Sequence, residues 1–213
     1  MKPPRAGNDC TVYGLACEPH RGEKAPYYNV RVGYGFGEAP ASFGLGLEVF
    51  HFKIVGETSD VRRITGTHGG LPVAARAPVD AAAQRFERSK GLHDLNVEAL
   101  DRSGLLKDAQ TFSRGRLQLY GEAGAGPAVP CTASTIDGVR RTAGSEVGGV
   151  GVEGFAGLRF LLGKPLGVFV EPKYTHMWLT VGVATGGHAD VTEPSAHVVG
   201  GLTVVSPWAW TSG

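Results

Sequence analysis

Apolar and polar residues alternate with a period of two along much of the chain, most clearly over residues 27–55. Tyr28, Val30, Val32, Tyr34 and Phe36 alternate there with Asn29, Arg31, Gly33 and Gly35, and after residues 37–41 the pattern resumes as Phe43, Leu45, Leu47 and Val49 against Gly44, Gly46 and Glu48. Successive side chains of a strand point to opposite faces, so this is a strand signal. Segments of about ten residues in series are the sequence signature of a transmembrane β-barrel. The pattern predicts strands over 9–16, 27–36, 43–55, 92–102, 115–128, 148–162, 166–181 and 196–206. Long connections (17–26, 56–91, 129–147, 182–195) alternate with shorter ones (37–42, 103–114, 163–165). That is the loop-and-turn asymmetry of an outer-membrane barrel. The expected fold is therefore all-β: an eight-stranded antiparallel up-and-down transmembrane barrel over 9–206, with a disordered segment 1–8 and a tail 207–213.

Alternation alone does not say which face is outermost, because a soluble ligand-binding barrel shows the same period with the sense reversed. Charge decides it. One face collects Arg31, Glu48, Asp94, Glu98, Arg116, Glu122, Glu153, Arg159, Glu171 and Lys173, while the other carries Val, Leu, Phe, Tyr and Gly. Opposite charges can pair inside a narrow bore, whereas the apolar face would be an aggregation hazard in water. A hairpin across 37–42 that sets Arg31 opposite Glu48 also sets Gly33 opposite Gly46 and Gly35 opposite Gly44, so an Arg31–Glu48 contact in the lumen is expected. Such a lumen is filled by its own side chains and leaves no channel. Tyr27, Tyr28, Phe36, Phe43, Tyr174 and Trp178 fall at strand ends, where interfacial aromatic girdles lie.

Composition narrows the classes. In 213 residues, 33 glycines and 42% hydrophobic residues argue against disorder and against a helical bundle. A net charge of +1 with no basic run sets nucleic acid aside, and no P-loop, dinucleotide fingerprint, CxxC or Ser-His-Asp order is found. A monomer is expected. Met1-Lys2-Pro3-Pro4-Arg5 has no apolar core of the secretory kind. Either a signal has been trimmed or the start is misassigned, or the protein is cytosolic and the membrane expectation fails. Cys10 and Cys17 are about 23 Å apart at strand rise and cannot bridge unless the chain folds back. Cys17 and Cys131 both fall in expected outer loops.

The longest connection predicts a helical turn over Val79–Arg88, with Pro78 near its start and Gly91 beyond its end. Around it lie Arg62, Arg63, Arg76, Arg85 and Arg88, either a solvated face or guanidinium forks for lipopolysaccharide phosphates.

Several segments resemble a proteobacterial outer-membrane β-barrel family, some of whose members are named lipid A oxidases. They are Pro26-Tyr27-Tyr28-Asn29-Val30-Arg31, Gly44 to Lys53 with its His51-Phe52-Lys53, Gln84 to Leu92, Tyr120 to Gly126, and Phe169 to Thr175. Thr11-Val12-Tyr13-Gly14 looks like the family's first strand. The resemblance implies a small barrel similar to that of outer-membrane protein A, located in the bacterial outer membrane beside lipopolysaccharide. In the oxidase members it implies an oxygen-dependent conversion of the proximal glucosamine of lipid A to aminogluconate. The chain departs from the pattern at Cys131, where a histidine is usual, at Pro172 within a strand, and at a terminus lacking the final aromatic residue; Pro172 predicts a local bulge. For an oxidase, His51 is the expected proton acceptor or ligand of a divalent metal ion, with Tyr27, Tyr28 and His93 nearby and Lys53, Arg62, Arg85 and Arg88 on lipid A phosphates. The plain alternative is that His51 and Lys53 are ordinary rim residues. A structural or surface-binding barrel is the leading expectation, lipid A oxidation the second and a soluble ligand-binding barrel the third.

Overall fold

The alternating segments form antiparallel ladders, and the register of the first hairpin is the one its turn predicts. In a computed structural model, the backbone is described for residues 9–15, 17–19, 27–36, 41–68, 70–89, 92–101, 116–144, 147–163, 165–184 and 188–204; for 9, 17–19, 41–43, 88, 89, 92–101 and 143 the main chain alone is described. The expected segment 1–8 and tail 207–213 lie outside these residues.

The strands are β1 (Asp9–Tyr13), β2 (Cys17–Pro19), β3 (Tyr28–Phe36), β4 (Ala41–His51), β5 (Lys53–Gly56), β6 (Val61–His68), β7 (Leu71–Pro78), β8 (Arg85–Ser89), β9 (Leu92–Asp101), β10 (Leu117–Ala128), β11 (Cys131–Ile136), β12 (Val139–Ala143), β13 (Gly149–Leu161), β14 (Leu166–Gly182) and β15 (His188–Val204). A seven-stranded antiparallel meander runs β15-β14-β13-β10-β9-β4-β3. A five-stranded sheet, β12-β11-β8-β5-β2, prolongs it at one end, each of its members joining a meander strand nearby in the chain. β1, β6 and β7 make a third sheet.

Arg31 stands opposite Glu48, Gly33 opposite Gly46 and Gly35 opposite Gly44. Five inter-strand steps separate β3 from β14, about 24 Å along a flat sheet. Yet Arg31 reaches Glu171 of β14 at 2.8 Å, so the meander is strongly curled. Along β14 the concave face takes Glu171, Lys173, Thr175, Met177, Leu179 and Val181, all buried, while Val168, Val170, Tyr174 and Trp178 are exposed on the convex face. The other meander strands with described side chains keep the same sense. Val32, Leu47, Val198 and Leu202 are all more than 60% exposed, whereas Glu48, Glu122 and Glu153 are buried.

Several expectations are corrected. The segment 9–16 does not join the meander: Asp9–Tyr13 pairs with β6, so among the described residues the main sheet has seven strands, and β3 and β15 share no ladder. A five-residue alternating strand carries too little burial to specify one neighbour over another. The helix over Val79–Arg88 is a single 3-10 turn at Val79–Ala81, and the chain is extended again from Arg85. Three alanines cannot nucleate a stable helix against the ladder bonds β8 gains with β5 and β11. The connections 56–91 and 129–147 prove rich in strand. The second is a hairpin turned at Asp137-Gly138, whose φ values of 51° and 72° are those of a type I′ turn. The connection expected over 182–195 is shorter, because β14 runs to Gly182 and β15 starts at His188. Pro172 makes no bulge. The registers of β13 with β14 and of β14 with β15 are unbroken, and only the pairs opposite Glu171 and Pro172 drop out of the β13 ladder, because proline has no N–H to give.

Candidate functional site

Inward-facing positions on five strands meet in one buried cluster of charge. Arg31 of β3 donates from Nε to Glu48 of β4 at 2.7 Å and forks onto both oxygens of Glu171 at 2.8 and 3.3 Å. Its Nε is also 3.2 Å from Glu122 of β10. Lys173 of β14, fully buried, donates to Glu153 of β13 at 3.0 Å and also to Glu48. The Tyr120 hydroxyl donates to Glu171 at 2.6 Å. Rings complete the lining: the Arg31 guanidinium lies 4.3 Å from the Phe155 centroid, Lys173 Nζ 5.0 Å from the same ring, and Arg159 4.8 Å from that of Tyr120.

Four carboxylates and two cations inside a protein survive only because each faces opposite charge: Glu48, Glu153 and Glu171 accept charge-assisted hydrogen bonds, and Glu122 has the Arg31 guanidinium at 3.2 Å. The glycines of the meander make the room. A Cβ built on Gly157 would come within 2.6 Å of the Tyr120 ring, so this glycine lets the phenol lie flat and reach Glu171. Gly157→Ala is expected to push Tyr120 off Glu171 and cost about 1–3 kcal/mol, read as a lower urea midpoint. An unchanged midpoint would show the ring has somewhere else to go.

A second polar chain follows on the same face, Thr175 to Ser195 at 2.6 Å and Ser195 to His197 Nε2 at 3.0 Å, with His197 packed edge-on to Phe50. Sequence reasoning passed over this group and Tyr120. Parity was the available signal for Thr175, which continues the inward face of Glu171 and Lys173, whereas Ser195 fell in the expected connection 182–195 and only the register of β14 with β15 sets it and His197 on that face.

Glu48, Glu122 and Glu153 each bring a carboxylate oxygen within 4.8 Å of the others, a set that could hold a metal ion. Lys173 and Arg31 already place positive charge among these oxygens, and His51 lies on the opposite face of β4, between inward-pointing Phe50 and Phe52. His51 therefore does not belong to that set. It stacks instead on Tyr28, its cross-strand partner, at 4.9 Å with 5° between planes. Tyr27 donates its hydroxyl to the Lys53 carbonyl, so Tyr27, Tyr28, His51 and Lys53 share one end of the β3–β4 hairpin.

The arginines separate into two kinds. Arg62 is held by Asp60 at 2.6 Å, and Arg85 by Glu87. Arg63 lies over the Tyr13 ring at 5.4 Å and directly opposite Arg76. The side chains of Arg88, His93, Asp94 and Glu98 lie outside the described residues, although the ladder sets Glu98 opposite Glu122 and Asp94 opposite Glu48. No protein-family model, curated protein or solved structure matches the chain.

Proposed function

We propose that the chain is an integral bacterial outer-membrane protein, a structural or surface-binding barrel seated in the lipopolysaccharide layer, whose curled meander is most of the wall of an eight-stranded transmembrane cylinder. One observation carries the reading: charge is buried on the concave face, while on the described strands apolar side chains stand exposed on the convex one. A water-soluble barrel binding an apolar ligand needs the reverse. Exposed apolar area of this extent is stable only against lipid or another apolar surface.

Closure follows from the bilayer, which leaves no lipid-facing strand edge unsatisfied. β3 and β15 run in the same direction, being six antiparallel steps apart, so an eighth strand antiparallel to both completes the cylinder. The five-stranded extension, the β6–β7 hairpin and the Tyr28–His51 rim then form the part facing lipopolysaccharide.

Unboiled protein recovered from membranes in detergent is expected to migrate differently from boiled protein on a denaturing gel. Protein that stays in solution without detergent and shows no heat-dependent shift would be the soluble barrel instead. A second reading, lipid A oxidase, is favoured by the grouping of Tyr28, His51, Tyr27 and Lys53 at one rim. It calls for a divalent ion, and among the described residues the Glu48, Glu122 and Glu153 oxygens that could hold one already meet Lys173 and Arg31 and lie on the other face of β4 from His51, which weighs against this reading. Mass spectrometry of lipid A from aerobic cells expressing the chain separates the two, since only the oxidase converts the glucosamine to aminogluconate.

A further inference from the structure

We propose that Arg63 and Arg76 form a fork for a phosphate oxyanion on the exposed face of the β1-β6-β7 sheet. The inference rests on the proposed outward position of that sheet for its lipid source, but its geometry does not. Arg63 and Arg76 are direct cross-strand partners, so both project from the same face. Both are exposed. Like charges set opposite each other in an antiparallel pair destabilise it, and an anion bridging them reverses the sign. The other arginines with described side chains on this sheet and on β8 are neutralised within the chain, Arg62 by Asp60 and Arg85 by Glu87, whereas neither Arg63 nor Arg76 meets a carboxylate among the described residues.

The surroundings fit an oxyanion rather than a bare surface. Tyr13 of β1 is the partner of Arg63 on its other side, and its ring under the guanidinium holds that group's plane. Thr65, two residues along on the same face, donates to the Tyr13 hydroxyl at 3.4 Å. Arg76, Arg63, Tyr13 and Thr65 thus share one face of three adjacent strands, with no described carboxylate paired to either arginine. The opposite face of the sheet carries Ile64, which is buried, so the arginines cannot turn inward to find partners. The chemistry selected is a phosphate monoester or free phosphate, bound bidentately as arginine binds such groups.

The test uses the full chain in detergent micelles, with inorganic phosphate and with lipopolysaccharide before and after phosphatase treatment. Inorganic phosphate should protect the β6 and β7 amides from hydrogen exchange in the parent protein. Arg63→Gln or Arg76→Gln should weaken phosphate binding by at least about tenfold. Arg63→Lys, which keeps the charge and loses the fork, should recover only part of it, and Arg116→Gln, at an exposed arginine outside this sheet, should bind within about twofold of the parent. Equal binding by the parent and the Arg63→Gln/Arg76→Gln double variant overturns the proposal. Loss of lipopolysaccharide binding on phosphatase treatment identifies the lipid head group as the source. Retention of that binding, with inorganic phosphate still dependent on Arg63 and Arg76, assigns the fork to free phosphate. A chain soluble without detergent that still binds phosphate through these arginines ends the membrane reading and leaves the fork standing.

Discussion

Lys173→Met is expected to destabilise the protein by about 3–5 kcal/mol, the cost of breaking a buried ion pair by removing one partner. Lys173 is fully buried between Glu48 and Glu153, and methionine matches its length while removing the ammonium that donates to both carboxylates. Glu48 keeps Arg31, so the larger part of the loss falls on Glu153. Pairing the change with Glu153→Gln should therefore recover much of it. Urea unfolding of the refolded protein in micelles measures both variants, with Arg62→Gln as the contrast. Arg62 and Asp60 are half-buried near the surface, and a pair reached by water contributes no more than about 1 kcal/mol. Equal midpoints for Lys173→Met and Arg62→Gln would mean that water reaches the cluster and the concave face is not a sealed interior.

The features legible in the sequence are those fixed by local periodicity. Period-two alternation gave Arg31, Glu48, Glu122, Glu153 and Glu171 one common face, and counting across a single turn gave the Arg31–Glu48 register. Contacts between strands distant in the sequence were not legible. Lys173 with Glu48, and Arg31 with Glu171, depend on how tightly the meander curls, which no stretch of ten residues encodes. The Arg85–Glu87 pair shows how one misread element hides a contact. Residues two apart diverge on a helix but share a face on a strand, so reading Val79–Arg88 as helix concealed the pair. β1 was misplaced for a different reason: its alternation suits any antiparallel edge, and both β6 and the gap beside β3 offer one.

Leu47→Arg is expected to cost about 2–4 kcal/mol if the convex face meets hydrocarbon, and to fall within about 0.5 kcal/mol of the parent if it meets water. Leu47 is 62% exposed and lies in the ladder between Val32 and Leu95, so arginine there clashes with nothing inside the protein and the penalty measures the surroundings alone. Depth supplies the internal control. Val170 and Trp178 share the convex face of β14, and Trp178 lies toward the end that carries the five-stranded extension. Arginine at Val170 should be as costly as at Leu47, while at Trp178 the cost should shrink to about 0–1 kcal/mol, because head groups and water reach a rim position. A bilayer produces that gradient, whereas an aqueous solvent makes all three substitutions alike. Glu48, adjacent to Leu47 in the chain, faces the other way and is buried, so a barrel of the opposite sense would be disrupted by Glu48→Leu far less than by any change at Leu47. The ranking of these neighbouring positions thus reports directly whether the sheet meets lipid and, if so, on which side.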